Sequence, residues 1–107
     1  MRLGARCYYE GVTTAERMAK ALAIQEAEGL TMVPPFDDNT IIAGQGTLGL
    51  ELLRQVPELD AIVCPVGGGG LIAGIAVAVK ALKPRVKIIG VESTATGNFA
   101  AALRAGR

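Results

Sequence analysis

Histidine and tryptophan are absent from these 107 residues, aromatic side chains make up 4%, and there are two cysteines. Without histidine there is no Ser-His-Asp or Cys-His nucleophilic apparatus and no histidine-bearing metal site. Cys7 and Cys64 each sit in an apolar, strand-like run. Both are expected as buried free thiols, because no secretion signal is seen and a reducing cytosol suits them better than a disulfide. Neither sign of charge is in excess, with a formal net charge of +1, so nothing points to nucleic acid or to an acidic tail. No long hydrophobic run occurs either. The stretch Leu71 to Leu82 contains Lys80 and falls well short of the roughly 20 residues that cross a bilayer. No charged segment followed by an apolar one opens the chain. A soluble, cytoplasmic protein is expected, with no membrane or nucleic-acid partner.

What is present is apolar residues, at 50%, and 14 glycines, about twice the average share. The length fits one small domain, able to bury about two-thirds of its unfolded surface. Arg6 to Glu10 (RCYYE) reads as a short strand. Thr13-x-x-Glu16 has the form of a capping box, in which each side chain satisfies an amide at a helix start. Met18, Leu22 and the alanines at 15, 19 and 23 then give a narrow apolar stripe, ended by Glu28-Gly29. Leu30 to Val33 reads as a second strand, stopped by Pro34-Pro35. Asp37, Asp38, Asn39 and Thr40 offer N-caps for a helix over Ile41 to Val56. That helix contains Gly44, Gly46 and Gly49, each costing about 1 kcal/mol relative to alanine, which predicts a close approach to another backbone. Asp60 to Val66 is the clearest strand, apolar enough to be covered on both faces. Leu71 to Leu82 is a helix, Val86 to Val91 a strand, and Asn98 to Arg104 a last short helix. The alternation predicts an α/β fold, a parallel sheet with flanking helices, over a single domain 1–107.

Between the clearest strand and the following helix stands CPVGGGGLIAG, residues 64 to 74. A strand, a glycine turn and a helix amino end make an anion site, since first-turn amides and the helix dipole both favour negative charge. A tight turn without a ligand is the plainer alternative, although such a turn needs fewer than four glycines. Gly68-x-Gly70-x-x-Ala73 matches the dinucleotide fingerprint, and Glu92 ends the next strand where a ribose-binding acid would stand. A nicotinamide-binding Rossmann module is therefore a second reading. No Gly-Lys-Ser/Thr follows, which excludes a Walker loop.

Four segments in order, AGQGTLGLELL (43–53), DAIVCPV (60–66), GGGGLIAGIA (67–76) and KIIGVE (87–92), closely resemble the pyridoxal-phosphate enzymes of the tryptophan-synthase-β superfamily, fold type II. Within it the threonine/serine dehydratases and serine racemase are the nearest branch. PFDD and AGQGT are typical of the dehydratases, with Pro34 standing where the branch has histidine. The resemblance implies that Gly67, Gly68, Gly69 and Gly70, with the Leu71 amide, wrap the 5′-phosphate of pyridoxal 5′-phosphate. It implies a divalent cation, Mg²⁺ or Ca²⁺, at Glu92, a carbonyl of Thr96 and Asn98. Asn98 replaces an acid there and weakens the site. Glu92 as a solvated strand-end carboxylate is the alternative.

The implied activity is β-elimination of water from a hydroxy amino acid, giving a 2-oxo acid and ammonia, or racemisation of serine. The family's cofactor-bonding lysine, in a Ser-Phe-Lys-x-Arg-Gly-Ala-like motif, has no counterpart here. Lys20, Lys80, Lys83 and Lys87 read as surface charges. The Ser-Ser-Gly-Asn-His-like loop and the late Ser or Cys that faces the ring nitrogen are also missing. The chain is therefore expected to be an internal part of a longer, homo-oligomeric enzyme, and inactive alone. A catalytically inactive binding module is the third reading.

Overall fold

The computed structural model describes residues 3–95 and 97–106. It divides into two compact units at the Val33–Pro34 bond.

The first unit is built on α1 (Thr14–Glu28). Its amino end is the expected capping box: the Glu16 amide donates to Thr13 Oγ1 at 3.2 Å, and Glu16 Oε2 accepts from the Thr13 amide at 2.8 Å. Gly29 closes the helix in the left-handed region at φ 63°, its amide donating to Gln25 O, which is the usual glycine stop. Arg6 and Glu28 form an ion pair. The two predicted strands, Arg6–Glu10 and Leu30–Val33, are not strands; both segments are irregular. Alternation and aromatic content mark a chain that could pair, but neither segment has a neighbouring strand in this unit, and pairing is what makes a strand. Cys7 is exposed and only Cys64 is buried, which corrects the expectation for Cys7. It lies in one of those irregular segments. The apolar stripe of α1 is likewise not a core, since the helix has no buried residue.

The second unit holds α2 (Asn39–Gln55), β1 (Ala61–Pro65), α3 (Gly70–Leu82), β2 (Lys87–Val91) and α4 (Asn98–Arg104). Asp38 is the N-cap of α2, its Oδ1 accepting from the amides of Thr40 and Ile41 at 2.8 and 3.0 Å. β1 and β2 are parallel, in register from Ala61 opposite Lys87 to Pro65 opposite Val91, with α3 as the crossover. α3 packs on both strands and α2 packs on α3. Leu53, Ile62, Cys64, Ile75, Val79 and Val86 form the core.

The close approach predicted for the glycines of α2 is found at two of the three. A methyl on Gly46 would stand 3.1 Å from Gly74 O, and one on Gly49 would stand 3.2 Å from Ile75 O. Gly74 of α3 answers them, with Gly46 N 2.6 Å from where its own methyl would be. Gly44 meets nothing within 4 Å and takes no part. The sheet differs from expectation in being covered on one face only. Ile62 and Cys64 are buried, whereas Val63 is 66% exposed, and its partner Ile89 is 44% exposed. α3 lies on one side, and no described element of this unit lies on the other.

Candidate functional site: an open helix end between two phenylalanines

Parallel strands bring their carboxyl ends to one edge, and loops leaving that edge form the usual ligand crevice of α/β units. Here the loop after β1 is Val66–Gly69, and Glu92 follows β2. The Val66 amide donates to Val91 O at 2.8 Å, so the glycine loop begins where the ladder ends. Gly69 is the N-cap of α3, at φ 87° and ψ −14°. A residue with a side chain rarely adopts that conformation. It turns the chain sharply enough for Gly70, Leu71 and Ile72 to start the helix facing the crevice.

The amino ends of α1 and α2 each receive a side-chain oxygen, from Thr13 and Asp38 respectively. α3 receives none; its glycine cap makes no side-chain hydrogen bond. Its first-turn amides therefore present donors and the positive end of the helix dipole to the crevice. Two hollows flank the loop. One, of about 430 Å³, has Asp37, Gly68, Gly69, Gly70 and Phe99 among its walls. The other, of about 350 Å³, is walled by Phe36, Pro65 and the loop from Gly67 to Leu71. The donor set suits a phosphate monoester: backbone amides at a bare helix end, with no titratable side chain on Gly67–Leu71.

Glu92 is where the sequence placed it, at the end of β2, but its carboxylate has a definite task. Oε1 accepts from the Phe99 amide at 2.8 Å and Oε2 from the Ala100 amide at 3.0 Å. These bonds, first Phe99 and then Ala100, hold its pKa below the usual carboxylate range, with a lesser contribution from the Asn98 amide. Glu92 thus caps α4, whose own N-cap Gly97 has no side chain to offer. Both of its oxygens are engaged in the chain, which does not suit a ribose. The same arrangement fits a divalent cation poorly, since Asn98 adds only a neutral side chain. No cluster of three or more Cys, Asp or Glu residues occurs among the described residues. Thr96, the remaining member of that expected set, lies outside the described residues.

Of the lysines, Lys20, Lys80 and Lys87 are exposed and Lys83 is half-buried. Lys80 Nζ donates to Pro84 O at 3.0 Å and to Val86 O at 2.6 Å, and Lys83 Nζ donates to Pro57 O. Both therefore serve the carboxyl end of α3, roughly 15 Å along the helix from its glycine end at 1.5 Å per residue. Lys87 opens β2 at the opposite end from Glu92. The walls contributed by Phe36 and Phe99 were not foreseen from the sequence.

A parallel strand–glycine loop–helix–strand unit with an uncapped helix end at its carboxyl edge defines an α/β class of protein whose crevice offers backbone donors to an anion. The family model described as "Pyridoxal-phosphate dependent enzyme" matches residues 1–107, and the chain belongs to that family. Over 105 residues it is 48% identical to L-threonine ammonia-lyase of Thermotoga maritima, covering 98% of this chain and 26% of that one. Among solved structures, the processed form of threonine deaminase isoform 2 from Solanum lycopersicum superposes with a TM-score of 0.86 at 43% identity, over 99% of this chain and 29% of that one. Maize serine racemase gives a TM-score of 0.86 at 36% identity, over 97% and 32%. The chain therefore spans between a quarter and a third of the length of these relatives. The α/β fold with a parallel sheet and flanking helices is the fold type II arrangement. The Rossmann reading is set aside by the family match and by the engagement of Glu92. No helix among the described residues is long and apolar enough to cross a membrane.

Proposed function

We propose that the chain is the phosphate-holding part of a cytoplasmic, homo-oligomeric threonine/serine ammonia-lyase. The higher identity to the Thermotoga lyase than to maize serine racemase, 48% against 36%, favours elimination over racemisation. The amides of Gly67 to Gly70 and of Leu71 hold the 5′-phosphate, and the substrate is a small hydroxy amino acid. The observation that carries this reading is the amino end of α3, left without a side-chain cap while α1 and α2 each have one. Bound pyridoxal phosphate supplies an electron sink for the amino acid's α-carbon. This chain's residues bind and orient it: the helix end neutralises the phosphate, and Pro65 and Phe36 keep one side apolar. Turnover belongs to a polypeptide that also brings a lysine to the crevice. A divalent cation at Glu92 and Asn98 would share the carboxylate with two amides and gain no second charge, so we propose only weak Mg²⁺ or Ca²⁺ binding there.

The direct test compares pyridoxal 5′-phosphate with pyridoxal. Phosphorus NMR should show a bound phosphate, and the phosphorylated form should bind at least tenfold more tightly, about 1.4 kcal/mol. Equal affinities would sink the reading. In the intact enzyme, L-threonine should yield a 2-oxo acid and ammonia in equal amounts.

A further inference from the structure

The chain has two phenylalanines, and both rings stand against the glycine loop. Phe36 comes from the segment leading into α2, and Phe99 from the first turn of α4. A methyl placed on Gly68 would overlap the Phe36 ring, to which all three of its nearest atoms belong. A methyl on Gly69 would come within 2.8 Å of Phe99 Cε2. At Gly70, Phe36 Cα and Cβ lie 3.4 Å from the corresponding point. Two of the four glycines thus lack side chains where the protein's own rings fill the space. Bare amides are enough to bind an anion, but a glycine run is the least ordered backbone there is until something holds it. Phe99 is itself held. α4 has no buried residue, and Glu92 ties its first turn to the end of β2 through the Phe99 and Ala100 amides.

We propose that Phe36 and Phe99 are positioning residues of the phosphate cradle, each pressing on the loop from its own hollow, with Glu92 holding Phe99 in place. The rings fix Gly68 and Gly69 so that the open amides of α3 stay aimed at one anion before it arrives. The gain is preorganisation: ordering that the ligand would otherwise have to impose is already done. This rests on the cradle reading above and adds to it which side chains make the cradle rigid.

The test is binding by the full chain, with pyridoxal 5′-phosphate and pyridoxal as probes. Phe36→Ala and Phe99→Ala should each weaken pyridoxal 5′-phosphate binding about tenfold, and Phe99→Ala should leave pyridoxal binding unchanged. Phe99→Leu, which keeps an apolar group over Gly69, should restore most of the loss, and Glu92→Ala should behave as Phe99→Ala does. Gly68→Ala should lose affinity, and adding Phe36→Ala should return part of it, because the overlap is relieved. The thermal midpoint of Phe99→Ala should stay near that of the parent, since α4 contributes nothing to the core. Alanine variants that bind the phosphorylated probe as tightly as the parent overturn the clamp and leave the cradle standing. A parent chain that does not prefer pyridoxal 5′-phosphate to pyridoxal overturns both.

Discussion

Glu16 and Glu92 show one carboxylate chemistry put to two uses. Each accepts backbone amides, and each is held below the usual carboxylate pKa by them: Glu16 chiefly by the Thr13 amide, then by the Thr13 hydroxyl and the Val12 amide, Glu92 by the Phe99 and Ala100 amides. For Glu16 the consequence is a pH dependence with a definite sign. Its folded-state pKa is depressed, so its contribution to α1 is fully present above the unfolded carboxylate pKa and is lost as pH falls through the folded one. Acidification should therefore fray the amino end of α1 before the rest, seen as faster amide exchange at Val12 and Thr13. Glu16→Gln should flatten that dependence; an unchanged acid profile in the variant would refute the assignment. The capping box was legible because it is local, four residues in a row with complementary groups. The task of Glu92 was not. It depends on α4 folding back to the end of β2, and nothing at position 92 alone announces that its partners lie at 99 and 100. Phe36 and Phe99 were hidden for the same reason: both are remote from the glycines in sequence and meet them only in the fold.

Among the elements, α2 and α3 form the interface that gives the second unit its core. Their crossing is as close as it is because Gly46, Gly49 and Gly74 face one another. Gly74→Ala would place a methyl against Ile42 O, Gly46 N and the Gln45 carbonyl carbon, all backbone atoms of α2, which cannot rotate aside. Overpacking of this kind costs about 1–3 kcal/mol, and the helix-propensity gain of about 1 kcal/mol does not offset its upper range. Gly44→Ala has the same propensity gain with nothing within 4 Å. Denaturant melts should give opposite signs, destabilising at 74 and stabilising by roughly 1 kcal/mol at 44. Equal effects at the two positions would mean that close packing is not what keeps Gly74 a glycine. Ile75→Ala, from a side chain only 1% exposed, should cost about 2–5 kcal/mol. The helices were readable from caps, glycines and prolines, signals carried within each element. Of the four predicted strands, two form. DAIVCPV and VKIIGV have each other as partners across α3, while RCYYE and LTMV have no neighbouring strand in their unit, and no local pattern can supply one.

For the whole molecule, the bare face of the sheet has the largest consequence. Val63 opposite Ile89 and Pro65 opposite Val91 line one side of a parallel pair, with Val63 66%, Ile89 44% and Val91 54% exposed. A two-stranded sheet also has two open edges, each a row of unpaired backbone groups, and sheets this small need a further strand or a helix on them to be stable. The helix is present on one side only. An apolar stripe and open edges side by side favour association with a second apolar surface, whether another polypeptide segment or another copy. The sedimentation coefficient of the isolated chain should therefore rise with concentration, and its thermal transition should be broad at low concentration and sharpen as it associates. Val63→Lys with Ile89→Lys should keep the chain monomeric at concentrations where the parent associates, without disturbing the core, because neither side chain belongs to it. A parent chain that melts cooperatively as a monomer over the whole range would show that the second unit is stable with this face in water, and α2 packed on α3 would then have to account for that stability alone.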